Sequence, residues 1–172
     1  TIDNNKEPLV CVATDKEATS TQIQMFYKHP AKDFKTWGDY REQYLVNSLF
    51  EIMFDERLAE LGEKKSCPYM QAGAGYGGFL ARPVAAYQMY VVAKEGKVME
   101  ALEAMMLENR RLQQHGFLQT ELDRAKESLL ERFERAAKEE SKTESSRIAA
   151  ELVDYFLENT PMPGAIIENK WA

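Results

Sequence analysis

The chain owns two imidazoles, His29 and His115. His115 stands in the run HGFLQTE, just ahead of Glu121. A zinc helix of the His-Glu-x-x-His kind sets two histidines one turn apart, with a glutamate as base. Here glycine follows a single histidine. His115 therefore reads as a cation at a helix C-terminus, where the dipole favours positive charge. His29 is distant in sequence, and no spacing joins the two to a carboxylate. No Gly-x-Ser-x-Gly is present, and neither Cys11 nor Cys67 lies in a Cys-x-x-Cys or a nucleophile motif. The cysteines read as two buried free thiols rather than a disulfide framework. The residues present offer no self-contained catalytic constellation.

The stretch QAGAGYGGFLARP, residues 71–83, is more specific. Gly73, Gly75 and Gly78 have the spacing Gly-x-Gly-x-x-Gly, which wraps a dinucleotide pyrophosphate when a strand precedes it and a helix opens on its last glycine. A strand is available before it, and Glu95 lies near the distance expected of a ribose-binding acid. The helix is missing. Only FLARP separates Gly78 from the next strand-like run, and Pro83 interrupts any helix there. No helix N-terminus is left for a phosphate. Glycines within a strand instead bare the backbone. That suits either a bulged structural strand or an edge that accepts a peptide as an added strand.

The elements that position this stretch can be read from periodicity. LVCVATD (9–15) and TQIQMFYKH (21–29) are strand-like. The second alternates, with Ile23, Met25 and Tyr27 on one face and Gln22, Gln24 and Phe26 on the other. A helix follows, opened by Thr36 and Asp39 as a capping box and closed at Gly62. Its apolar positions include Tyr40, Tyr44, Leu45, Leu49, Ile52, Met53 and Leu58. The glycine stretch and 84–93 give two more strands. Helices are expected over 97–115, with Met105 and Met106 inward and Gly116 as cap, then from Thr120 to about Glu140, then over 143–159. The order β-β-α-β-β-α-α-α implies an α+β fold, a mostly antiparallel sheet with helices packed on one face. Residues 1–8 read as linker, 9–160 as one domain, and 161–172 as the start of a connection onward.

The totals narrow the partners. The chain has 172 residues and a net charge of −6, so electrostatics supplies no drive toward nucleic acid or an anionic membrane. No apolar run is long enough for a membrane span. The many helical glutamates alternate in sign with lysine and arginine, as solvated faces do.

Three phrases carry a resemblance: ATDKEATSTQIQMFYK, DERLAEL leading into PYMQAGAGYGG, and ENRRLQQHGFLQTELDRAKESLLERFE. In these the chain, from about Pro8 to Pro163, resembles one domain of the insulinase/pitrilysin family of zinc metallopeptidases. Such proteins repeat similar α+β domains, and pairs of domains form the halves of a shell around a chamber. Their first domain bears an inverted His-x-x-Glu-His zinc motif, which is absent here. The resemblance thus implies a non-catalytic domain, most like the second of the N-terminal half. It implies no cofactor in this chain, and zinc in the parent protein. Domains that complete the active site from the far half resemble Arg-Leu-x-x-x-Leu-Arg-Glu followed by a tyrosine. Here RLAELGE begins at Arg57, Gly62 replaces the second arginine, and Tyr69 keeps the tyrosine. The pair is incomplete, which leaves Tyr69 a structural role. The resemblance also implies that the segment Gly73, Ala74, Gly75, Tyr76, Gly77 and Gly78 holds a peptide substrate by its backbone. The expected partners are that peptide and other domains of the same polypeptide, and the expected compartment is a bacterial periplasm. The alternative is a scaffold or partner subunit of the same fold without peptidase activity.

Overall fold

The structure, a computed structural model, describes residues 5–32, 34 and 36–171. In chain order these form β1 (Thr21–Pro30), α1 (Trp37–Gly62), β2 (Tyr69–Phe79), β3 (Ala81–Ala93), α2 (Val98–His115), α3 (Gln119–Glu139), a short 3₁₀ turn (Glu140–Lys142), α4 (Ser145–Glu158) and α5 (Ala165–Trp171). The class is α+β with an antiparallel sheet, as the sequence indicates. The sheet has three strands in the order β1-β3-β2.

One expected strand is not formed. Residues 9–15 carry no ladder, and Leu9 and Val10 are 80 % and 86 % exposed. β-branched residues favour a pleated surface only where a neighbouring strand takes their backbone groups. Among the described residues none lies beside this run. Cys11, within it, is exposed rather than buried, while Cys67 is buried; both are free thiols.

The chain divides into two compact units that share α1, residues up to Met53 belonging to one and Phe54 onward to the other. The first unit holds the sheet, the last turns of α1, and α2. In β1, Ile23 and Met25 are half-buried while Gln22, Gln24 and Phe26 are exposed, the alternation read from sequence, but Tyr27, expected with Ile23 and Met25, is exposed. Met89, Val91, Phe54, Leu58 and Met105 form its tightest core, all at or below 1 % exposure. α2 starts and stops where expected, and Gly116 ends it with φ at +68°, its N–H donated to the Leu112 carbonyl at 2.8 Å. That left-handed geometry is one glycine adopts without penalty. Met106, expected inward, is exposed; Glu108 and Asn109 are buried instead.

The second unit is helical. α1 opens on a reciprocal capping box: Thr36 N–H donates to Asp39 Oδ2 and Asp39 N–H to Thr36 Oγ1, both at 3.1 Å. Ile52 and Met53 of α1 pack with Ala125, Leu129 and Phe133 of α3. Inside the stretch assigned to a connection, residues 165–171 form α5, which packs on α3. Its Trp171 meets the rings of Trp37 and Tyr40 at 5.9 and 6.4 Å, and Arg41 donates to the Trp171 carbonyl.

A glycine-rich edge strand as candidate functional site

β2 pairs with β3 on one side only, so among the described residues its other edge carries no strand. Which groups face that edge follows from the register. β3 is central, and successive residues of a strand send their backbone groups to opposite neighbours. Ala31 N–H donates to the Pro83 carbonyl at 2.9 Å, so odd-numbered β3 residues serve β1. Lys94 N–H donates to the Pro68 carbonyl at 2.9 Å, so even-numbered ones serve β2. Gln71, Gly73, Gly75 and Gly77 pair with Val92, Tyr90, Gln88 and Ala86, and are the residues bonded to β3. Ala72, Ala74, Tyr76 and Gly78 pair with Val91, Met89, Tyr87 and Ala85, and turn their N–H and C=O groups outward.

This sorts the six residues singled out from sequence. Three of the glycines are not the edge donors; Gly73, Gly75 and Gly77 spend their backbone groups inside the sheet. The outward groups belong to Ala74, Tyr76 and Gly78. No cue in the sequence marks this division, since every residue but proline carries the same backbone donor and acceptor.

The glycines shape a face. A Cβ on Gly73 would lie 2.7 Å from Tyr90 Cε1, so the Tyr90 ring occupies the space a side chain would need. Gln71 Nε2 steadies that ring by donating to Tyr90 Oη at 3.0 Å. At Gly77 and Gly78 a Cβ would meet nothing within 4 Å. Gly73 is thus fixed by packing, whereas the later two leave bare backbone. One outward group already has a partner: Ala74 N–H donates to Asp55 Oδ1, from α1, at 3.1 Å. The ladder ends in irregularities between Tyr69 and Gln71 and between Gly78 and Phe79. Such irregularities are common at edges and limit how far pairing can run.

Tyr69 is structural. It is 3 % exposed, and its hydroxyl donates to the Leu58 carbonyl at 2.7 Å. Burial, with Cys67 beside it, pushes its phenol well above the ordinary range. Arg57 is structural too. It pairs with buried Glu108 at 3.5 Å and donates to the Gly116 carbonyl at 2.8 Å, closing the end of α2. Arg111 meets the other Glu108 oxygen at 2.9 Å. No sequence rule marked Glu108, because one glutamate on a charged helix looks like any other.

On the α2 side of the sheet, a cavity of about 770 Å³ is lined by Tyr27, His29, Tyr87, Asn109 and Arg110, among others. Tyr87 donates to Asn109 Oδ1 at 3.4 Å. Its phenol is pushed up to about 12, chiefly by burial and then by Tyr27 and Asp55. Among the described residues no three of His, Cys, Asp and Glu converge as metal ligands, and His29 and His115 form no such group. No described helix is long and apolar enough to cross a membrane.

No family model matches the chain. It is 24 % identical over 163 residues to an Arabidopsis thaliana protein named zinc protease PQQL-like, covering 95 % of this chain and 14 % of that protein. The solved first half of the periplasmic protease PqqL from Escherichia coli superposes with a TM-score of 0.79 at 24 % identity, covering 91 % of this chain and 33 % of that one. A protease of the insulinase family from Yersinia pestis superposes with a TM-score of 0.73 at 10 % identity, over 90 % of this chain and 33 % of its own. The chain has the fold of these protease domains and resembles the zinc proteases in sequence. It spans about a seventh of the length of the Arabidopsis protein it matches, 14 %, and its described residues carry the edge strand rather than a convergent set of metal ligands.

Proposed function

We propose that this chain is a non-catalytic, substrate-holding domain of a zinc-dependent peptidase, forming chamber wall and seating an extended peptide along β2. One observation carries the reading: β2 is a sheet edge whose Ala72, Ala74, Tyr76 and Gly78 backbone groups point away from the sheet. A guest strand pairs there by main-chain hydrogen bonds, which are nearly indifferent to its sequence. That suits an enzyme that degrades varied peptides. The bare backbone at Gly77 and Gly78 supports the reading, since a large side chain there would crowd the guest. On this reading the metal and its chemistry belong to another part of the parent; the described residues bring no three of His, Cys, Asp and Glu together. The likeness to a periplasmic protease favours a bacterial periplasm as the compartment.

The test uses proline as a probe of a single rung. Gly78→Pro removes an outward N–H other than the one Asp55 holds, while keeping the β3 ladder, and Gly77 before it minimises the clash proline imposes on its predecessor. Isotope-labelled chain is titrated with a short Val/Thr-alternating peptide bearing terminal lysines. We expect shifts centred on Ala72, Ala74, Tyr76 and Gly78, and affinity in the variant weaker by about tenfold, the worth of roughly one hydrogen bond. Shifts confined to the cavity lined by Tyr27 and Tyr87 would move the site elsewhere. One tightly held zinc per chain would overturn the non-catalytic assignment.

A further inference from the structure

We infer that Asp55 is a built-in stand-in for the guest, holding the Ala74 rung of the β2 edge until a peptide displaces it. This rests on the docking reading above and adds a control to it. The Asp55 carboxylate accepts the Ala74 N–H at 3.1 Å, in the position that a guest carbonyl would take. The register is fixed independently at both ends of β3, so that N–H points away from the sheet whether or not Asp55 is considered. An aspartate side chain reaching from a helix to the amide of an edge strand makes no ladder of its own. It blocks one rung and leaves its neighbours to other partners.

The arrangement answers a physical problem. An open edge with bare amides pairs with any strand it meets, including another copy of itself. A carboxylate on one amide makes a charge-assisted bond, stronger than a neutral one. It also sets a negative charge against the row of carbonyls that an incoming strand presents. Asp55 is nevertheless exposed, so water can solvate the carboxylate once a guest displaces it. A chain that forms several rungs together offsets the loss of this one contact, while a fragment that forms one or two does not. The edge thereby discriminates by the length of extended backbone rather than by side chain.

Asp55→Ala and Asp55→Asn, the second retaining a neutral acceptor, test this in the same chain. Alanine favours the helix more than aspartate does, and asparagine about as much as aspartate, so neither substitution breaks α1. Hydrogen exchange at the Ala74 amide should quicken about tenfold in Asp55→Ala and less in Asp55→Asn. The inward Gly73 amide should stay unchanged, which separates a local effect from a change in global stability. Affinity for the Val/Thr-alternating peptide should rise about three- to tenfold in Asp55→Ala. Unchanged exchange at Ala74 overturns the inference. So does affinity that stays the same or falls, because Asp55 would then be idle or would itself hold the guest. If the peptide shifts no β2 amide in either form, the docking reading fails. If it binds both forms equally, only the stand-in role fails.

Discussion

Gly73 and Gly77 look equivalent in sequence, both glycines on one face of β2, yet the space beside them differs. A methyl on Gly73 meets the Tyr90 ring at 2.7 Å and must push aside a side chain held by Gln71. A methyl on Gly77 meets nothing within 4 Å. Overpacking and glycine's backbone entropy therefore act with opposite signs at the two sites. Gly73→Ala should destabilise the chain by about 1 kcal/mol, the flexible end of Tyr90 giving way. Gly77→Ala should be neutral or stabilising by up to about 1 kcal/mol. Urea midpoints of the two variants check this, and equal losses would show that the face at Gly77 is packed. Because both residues direct their backbone groups into the sheet, neither variant removes an outward donor.

Among the elements, α1 has the most to do, since it contributes to both compact units. Its first turn rests on the Thr36–Asp39 box. Thr36→Ala leaves the Asp39 N–H without its side-chain acceptor and should cost about 1 kcal/mol, with Thr36→Ser restoring most of it. The circular-dichroism thermal midpoint should fall for alanine and recover for serine. Farther along the same helix, Asp55 meets the β2 edge and Arg57 meets Glu108. α1 thus carries its cap at one end and, in a single turn near the other, serves the edge strand and the end of α2. α4 contrasts with it. Ile148, Leu152, Tyr155 and Phe156 recur at helical spacing but are exposed, Phe156 at 85 %. Helical periodicity marks a face suited to burial without naming what buries it.

At the scale of the whole chain, tyrosine ionisation links both units to alkaline pH. Burial first, and the charge of Glu168 second, push Tyr40 up to about 12 and raise Tyr44. Tyr87 is likewise raised to about 12, and Tyr69 is raised by burial. Unfolded tyrosines ionise near pH 10. Between about 10 and 12 the unfolded chain has lost protons that the folded one keeps, so stability must fall as pH rises. The contribution is whole below pH 10 and is lost as pH climbs through 12. The urea midpoint should decline across that window, and phenolate absorbance should show a late-titrating class that merges with the rest in denaturant. A midpoint flat to pH 12 would mean that these hydroxyls are solvated.

The sequence by itself determined the α+β class, the ends of α1 and α2 to within a residue, the capping box, and the two faces of β1 from Gln22 to Phe26. These depend on local chemistry: periodicity, caps, and glycine at a left-handed terminus. It also marked residues 71–79 as unusual and its wording pointed to the insulinase family. Tertiary structure alone decided the rest. It left 9–15 without a ladder, because a strand exists only beside another. It placed Glu108 between Arg57 and Arg111, which lie far apart and close together along the chain respectively. Most of all, it set the phase of β2. Hydrogen bonds at Lys94 and Ala31 determine which residues face outward, and residue types cannot reveal this because every residue but proline carries the same donor and acceptor.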